Sequence, residues 1–302
     1  MTESSADLPA TISRLAEAHG LELEESSIKL NEMGLDFRVA IARTIQGDSW
    51  VLRMPRRSDV LDRAAVEGRL LRMVAPHLSV AVPDWRIQTA ELTAYPLLPG
   101  EPGLELTEAG EPEWQVDVSS PEFADSLGDL LAELHSVDAA AAEATGIESK
   151  KPDEIRESWR SDIAKVAAEF DVAPHLTARW AAWLNEDSYW PDWSVLTHGE
   201  IYPGHTLVAQ NRITGVLDWT TASVGDPAKD FMFHQATASA EAFARTVDRY
   251  VARGGRVWPR LAEHCAEMFS ASPVAYGIYA LLTGEDQHLE AAAAQLNPST
   301  DT

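Results

Sequence analysis

The stretch from Val195 to Phe231, VLTHGEIYPGHTLVAQNRITGVLDWTTASVGDPAKDF, constrains the fold more than any other part of the chain. Short apolar or β-branched runs at Val195–Thr197, Thr206–Val208 and Ile213–Leu217 are separated by Gly, Pro and Asn, the punctuation of short strands and tight turns. Gln210, Asn211 and Arg212 read as a hairpin turn. Centred on Asn211 and Arg212, that turn sets His205 opposite Asp218, with Glu200 in the loop just before. A carboxylate, an imidazole and a second carboxylate then meet at one end of a sheet. A magnesium-nucleotide site needs such a set: donors for the metal and a separate carboxylate facing a hydroxyl.

Each residue also has a purely structural reading. His198 before Gly199 suits a buried, hydrogen-bonded histidine beside a tight turn, and taken alone that is its better account. His205 and Asp218 form an ordinary cross-strand pair in any sheet. Asp226-Pro227 reads as a helix start, Asp226 as N-cap and Pro227 in the first helical position, and Asp230 one turn later complements the helix dipole. The order tips the balance. His-Gly-acid, a histidine five residues after Glu200 and then Leu-Asp-Trp make chance assembly the weaker explanation.

HGEIYPGH followed by GVLDWTTASVGDPAKDF resembles the phosphotransfer loops of antibiotic kinases related to the aminoglycoside phosphotransferases and eukaryotic-type protein kinases. It is most similar to the macrolide 2′-phosphotransferases, which carry His where most relatives carry Asn, here at His205. The likeness continues through NEMGLDFRVAIA, WVLRMPRR, AVPDWR, AYPLL, the tryptophan-rich run before the loop and GGRVWPRLAEH. One position departs from it. The family loop reads His-Gly-Asp, whereas this chain has Glu200, one methylene longer, in a reaction sensitive to placement.

The resemblance implies an α+β, bilobal, protein-kinase-like fold: residues 1–98 an antiparallel sheet with a helix, residues 99–302 a larger, mainly helical lobe. The chain's own pattern agrees. Helical spacing marks Thr11–His19 and Asp59–Val74, and strand patterns mark Ile28–Ile41, broken at Met33 to Asp36, then Ser49–Met54 and Leu92–Leu98. Pro96, Pro99, Gly100, Pro102 and Gly103 punctuate the change to helical spacing over Ser119–Ala144, Phe231–Ala242, Phe243–Arg253, Pro259–Phe269 and Pro273–Leu282.

By the same resemblance a nucleoside triphosphate lies between the lobes. Mg²⁺, Arg53 and the Gly34 loop hold its phosphates, Glu67 holds Arg53, and backbone groups of Pro96, Leu97 and Leu98 meet the base. Asp218 and His205 take the metal, with a bond from His205 to a phosphate as the alternative because Mg²⁺ prefers oxygen; Glu200 orients the acceptor hydroxyl and receives its proton, and His198 braces the loop. Tyr202, Asp230, Phe233, His234, Met268, Tyr276 and Tyr279 are the candidate acceptor wall. For Arg53 an exposed strand position, for Glu67 a solvated helix face, and for the apolar group core packing are the competing readings. His135, in LAELHS, reads as a buried histidine without chemistry. The implied donor is GTP, with ATP as the alternative, and the implied acceptor is the 2′-hydroxyl of the macrolide aminosugar. Two other readings stand beside it: a nucleotide- or macrolide-binding pseudokinase impaired by Glu200, and a kinase for another small aminosugar or choline-type metabolite.

Charge and cysteine content bear on partners. Against 24 basic residues stand 48 acidic ones, a net of −24 over 302 residues. That surface repels nucleic acid and anionic membranes and draws cations, although acidity also serves solubility alone. Cys265 is the only cysteine, the N-terminal MTESSADLPATISRLAEAHG lacks a basic segment followed by an apolar one, and no apolar run nears the ~20 residues of a membrane span. The expectation is a cytoplasmic monomer.

Overall fold

The computed structural model describes residues 8–31, 36–57, 60–107 and 110–298; Gly34 lies outside the described residues. The first part of the chain runs α1 (Leu8–Ala18), β1 (Lys29–Asn31), β2 (Phe37–Arg43), β3 (Ser49–Pro55), α2 (Val60–Val74), β4 (Ile87–Gln88) and β5 (Thr93–Pro96). Its strands form one antiparallel sheet in the order β1-β2-β3-β5-β4. Strand alternation sorts β3 between two faces. Leu52, with Trp50 and Met54, packs among Ile12 and Ala16 of α1 and Ala40, Ala42 and Ala94 of the sheet. Arg53 takes the opposite face, where Phe37 packs on Val60 and Ala64 of α2.

After β5 come β6 (Glu101–Pro102), β7 (Leu104–Leu106), β8 (Pro112–Trp114), α3 (Pro121–His135), α4 (Ala139–Glu143), β9 (Glu148–Ser149), α5 (Pro152–Glu169) and α6 (Pro174–Asn185). Then follow β10 (Val195–Thr197), β11 (Thr206–Ala209), β12 (Arg212–Val216), β13 (Ser223–Gly225), α7 (Ala228–Thr237), α8 (Ala240–Ala252), α9 (Leu261–Ser270), α10 (Ser272–Thr283) and α11 (Asp286–Leu296). The helical run expected over Ser119–Ala144 is two helices. Asp138 ends the first by capping the second, its Oδ1 accepting the Ala141 N–H at 2.8 Å. Ser239 does the same between α7 and α8, accepting the Ala242 N–H at 3.1 Å.

The main core lies between α3, α6, α7, α8 and α9, around Leu127, Leu130, Leu131, Trp180, Trp183, Phe231 and Tyr250. Leu70, Leu71 and Val74, the C-terminal turns of α2, belong to it too. One helix therefore carries Glu67 against the N-terminal sheet and anchors its far end among the C-terminal helices. Among the described residues no helix is long and apolar enough to cross a membrane.

The connector after β5 is sewn to the hairpin of β11 and β12. β6 pairs with β11, Gly103 N–H donates to Thr206 O at 2.9 Å, and Thr214 Oγ1 donates to Pro99 O at 3.0 Å. Gly100 has φ 108°, and a Cβ there would stand 2.4 Å from Thr214 Oγ1, so glycine is required on both counts. On the hairpin's other edge, Ala81 N–H donates to Thr214 O and Val216 N–H to Ala81 O, each at 2.9 Å.

His234 on α7 is buried between Phe123 and Phe243. The Thr246 hydroxyl donates to Ala124 O, so His234 Nε2–H donates to Thr246 Oγ1 at 2.9 Å, and Nδ1 is buried without a hydrogen-bond partner among the described residues. Protonating the ring would bury a charge, and that burial outweighs the favourable backbone of Ala242 and holds this imidazole down to about 4. The unfolded chain takes up that proton near 6.5 and the folded chain does not, so stability is full above ~6.5 and declines as pH falls toward 4. The full shift corresponds to roughly 3 kcal/mol. Urea denaturation across this range should show the decline, and His234→Leu should make it shallower, the remainder coming from the other imidazole that burial depresses, His198; an unchanged slope in the variant would remove His234 as a source.

Candidate active site

The loop between β10 and β11 is held from beneath by one carboxylate. Asp230 has no solvent exposure; its Oδ2 accepts the His198 N–H at 2.9 Å and its Oδ1 the Gly199 N–H at 2.7 Å. His135 Nε2 approaches Oδ2 at 3.2 Å, and its Nδ1 lies 3.0 Å from the Tyr250 hydroxyl. Burial pushes Asp230 upward, but the bond from His135, the electrostatic pull of the His135 and His198 rings, and the Gly199 N–H outweigh it and leave the carboxyl below its ordinary range. Asp230 is therefore a support of the loop and does not line an acceptor wall.

His198 is fixed in one tautomer. Its Nε2 lies 2.9 Å from Leu217 O and must be the N–H, while Nδ1 accepts the Glu200 N–H at 3.3 Å. Burial drives it down to about 4, so it is neutral at pH 7. Gly199 has φ 89°, and a Cβ there would meet Thr221 O at 2.4 Å. The His-Gly pair is thus a brace and a turn that only glycine can make.

The hairpin differs from expectation by one residue. Gln210 and Asn211 have φ 52° and 57°, so the turn is centred on them, one residue earlier than Asn211 and Arg212. Ala209 pairs with Arg212 and Val208 with Ile213; a bulge then leaves Thr214 unpaired, and Leu207 pairs with Gly215 and Thr206 with Val216. Leu217 N–H donates to His205 O at 2.8 Å, so His205 stands opposite Leu217. Asp218 follows with φ 55°, a left-handed conformation rare outside glycine, which turns its side chain back toward the histidine.

The three groups converge nonetheless. His205 Nε2 lies 3.8 Å from Asp218 Oδ2, and His205 Nδ1 lies 3.8 Å from Glu200 Oε2 and 3.2 Å from Glu200 O. Asp218 Oδ1 is taken by the Thr220 hydroxyl at 2.5 Å, leaving Oδ2 toward the histidine. Burial raises Asp218, but the Thr220 hydroxyl, His205 and Arg53 outweigh it and keep the carboxyl below its usual range. Glu200 moves the other way: burial and the charge of Asp218 raise it against the pull of His205 and Lys229. Neighbouring carboxylates with opposed shifts are the mark of divided roles.

Across from them Arg53 Nη1 meets Glu67 Oε1 at 2.9 Å, both side chains nearly buried, with the guanidinium 4.2 Å over the Phe37 ring. Neither is a solvated surface group. Burial raises Glu67, partly countered by Arg53, and its Oε2 has no hydrogen-bond partner among the described residues. In the connector, Leu97 N–H is already given to Ser49 O at 2.8 Å and Pro96 has none, which narrows the expected base contact there to the Leu98 N–H and carbonyl oxygens.

The expected acceptor wall divides. The Tyr202 ring lies 4.5 Å from His205 and 5.3 Å from Phe233, and Phe233 lies 6.5 Å from Phe269, centroid to centroid. This row leads from the loop to Phe269, which is 38% exposed and carries no signal in the sequence beyond being aromatic. Met268 and His234 are core residues, 2% and 3% exposed. Each adjoins a member of the row, and successive helix positions point about 100° apart. Tyr276 and Tyr279 stack on each other, 6.1 Å apart, and Tyr276 Oη lies 2.9 Å from His288 Nδ1. Among the described residues they make no ring contact with the row. A further pair has no local signal either: His264 Nδ1 accepts the Trp183 indole N–H at 3.0 Å and its Nε2 donates to Asp226 Oδ2 at 2.8 Å, tying the start of α7 to the tryptophan cluster.

The phosphotransferase enzyme family matches residues 27–264. Over its whole length the chain is similar to the crystal structure of macrolide 2′-phosphotransferase MphH from Brachybacterium faecium, with 60% identity, coverage of 98% of this chain and 100% of that one, and a TM-score of 0.94. It is 40% identical to a type I macrolide 2′-phosphotransferase, covering 99% of this chain and 100% of that one, with a TM-score of 0.91. The uncharacterized protein YcbJ of Bacillus subtilis (strain 168) is 41% identical over 95% of each chain. The kinase-like fold and the spacing of its loop residues thus have one source: the chain belongs to the phosphotransferase enzyme family.

Proposed function

We propose that this protein is a macrolide 2′-kinase that transfers the γ-phosphoryl group of GTP to the hydroxyl beside the dimethylamine of the macrolide aminosugar, inactivating the antibiotic. The observation that carries the reading is the meeting of Glu200, His205 and Asp218 opposite the buried Arg53–Glu67 pair. It is supported by the 60% identity to a macrolide 2′-phosphotransferase. The donor lies between residues 1–98 and 99–302. Arg53, locked by Glu67, presents its guanidinium to the phosphates, a fork suited to paired oxygens.

Mg²⁺ keeps several waters and takes few protein groups beside the phosphates. Asp218 Oδ2 and His205 Nε2 offer two donors, and among the described residues no cluster of three or more His, Cys, Asp or Glu is arranged to enclose a metal. An open two-donor site fits the ion, which when bound would neutralise phosphate charge. Glu200 orients the acceptor hydroxyl and takes its proton late, since positioning carries most of phosphoryl transfer. Tyr202, Phe233 and Phe269 form the apolar wall for the macrolide ring, and the surrounding acidity suits its cationic sugar.

The Glu200 side chain, half exposed and one methylene longer than aspartate, supports a second reading in which macrolide binds and little is transferred. Phosphate transfer from GTP, with and without erythromycin, separates the two. Macrolide-dependent transfer is expected, Asp218→Ala should abolish it with the fold intact, and Glu200→Gln should lower kcat by ~10²-fold or more. Binding without transfer, with turnover appearing in Glu200→Asp, would establish the second reading.

Arg53→Lys keeps a cation beside Glu67 but loses the fork. It should raise the KM for GTP about tenfold, the scale of one charge-assisted hydrogen bond, and leave the macrolide KM unchanged. Steady-state kinetics decide this; a rise confined to the macrolide KM would take Arg53 out of the donor site.

A further inference from the structure

Lys229, in the first turn of α7, has no part in the mechanism above, and helix stability does not explain it: a cation at a helix N-terminus opposes the dipole. Its ammonium is placed against the loop. Nζ lies 3.0 Å from the point where a Cβ on Gly199 would stand. The next residue, Asp230, attracts it but turns its oxygens to His198, Gly199 and His135 and makes no close ion pair with it. Among the described residues the ammonium makes no hydrogen bond or close ion pair. A cation sits under the loop without a fixed partner, one residue from the carboxylate that faces the acceptor.

The charges around Glu200 say what that cation does. Asp218 repels its carboxylate, while His205 and Lys229 attract it. A histidine that gives its Nε2 lone pair to a metal keeps its one proton on Nδ1, which faces the Glu200 carbonyl at 3.2 Å. Lys229 is then the full positive side-chain charge left to act on the Glu200 carboxylate. Glu148 and Asp230 also face Lys229 and raise its affinity for the proton, against the burial that lowers it and the repulsion of Lys150.

Resting on the kinase reading, we propose that Lys229 is a positioning residue for Glu200: its ammonium, lodged against Gly199, draws the glutamate carboxylate toward the floor of the loop and limits the freedom that the extra methylene brings. The substitution of glutamate for aspartate is thereby made compatible with transfer. The role belongs to Lys229 and Glu200 as a pair, so it is visible only as coupling between them.

Transfer from GTP to erythromycin is measured for wild type, Lys229→Met, Lys229→Arg, Glu200→Gln and Lys229→Met combined with Glu200→Gln, each checked for its melting temperature. Lys229→Met should lower kcat about tenfold while both KM values change less than about twofold, as for an interaction made in the transition state. Lys229→Arg should restore most of the rate. In the Glu200→Gln background Lys229→Met should cost nothing more. Undiminished kcat in Lys229→Met, a change in KM alone, or an equal loss in both backgrounds would overturn the assignment while leaving the kinase reading intact. A wild type that transfers phosphate to no macrolide would overturn both.

Discussion

Asp230 is a charged side chain with no contact with water, and such a group persists only where hydrogen bonds replace that contact. Here two successive N–H groups of the loop and one imidazole engage both oxygens of the carboxylate. The consequence runs outward. With His198 and Gly199 pinned, Glu200 leaves the loop in one direction, His198 Nδ1 receives its N–H, and His198 Nε2–H reaches back to Leu217, the residue before Asp218. A buried ion thus sets the distance between two exposed carboxylates that are eighteen positions apart in the chain. Removing one partner of such a network typically costs about 3–5 kcal/mol, enough to release the loop before the rest of the fold.

The second constraint is the placement of α2. Its early turns present Glu67 to Arg53, while Leu70, Leu71 and Val74 are buried with the C-terminal helices. The ion pair is therefore sensitive to how the N-terminal sheet sits on the helical part. Desolvation alone would make the pair costly, and the Phe37 ring beneath the guanidinium offsets some of that cost.

Most of the architecture was legible because its signals are local. Strand alternation, helical spacing, the Pro/Gly connector and the Asp-Pro helix start all act within a few residues, and the structure follows them at α1, β3, α2 and α7. The convergence of Glu200, His205 and Asp218 was legible because one short hairpin carries it. The register was missed by one residue because two left-handed residues, Gln210 and Asn211, neither of them glycine, make the turn. Long-range partners left no trace in spacing. Nothing along the chain indicates that Asp230 meets His135, or that His264 meets Asp226 and Trp183. Met268 and His234 follow the competing reading, core packing, and were unresolved for a simpler reason: composition cannot say which of two adjacent helix residues faces inward.

The seam between connector and hairpin also determines where this polypeptide could be divided. A fragment stopping at Leu98 keeps the N-terminal sheet intact, and one starting at Pro99 keeps the strand that covers the edge of β11. A cut a few residues later, within Gly100 to Gly103, would strip that strand away, unpair the Thr214 hydroxyl from Pro99 and expose a sheet edge beside His205. The connector is thus, by its bonds, a piece of the second half. Any permuted, split or grafted form of this protein would have to respect that ownership.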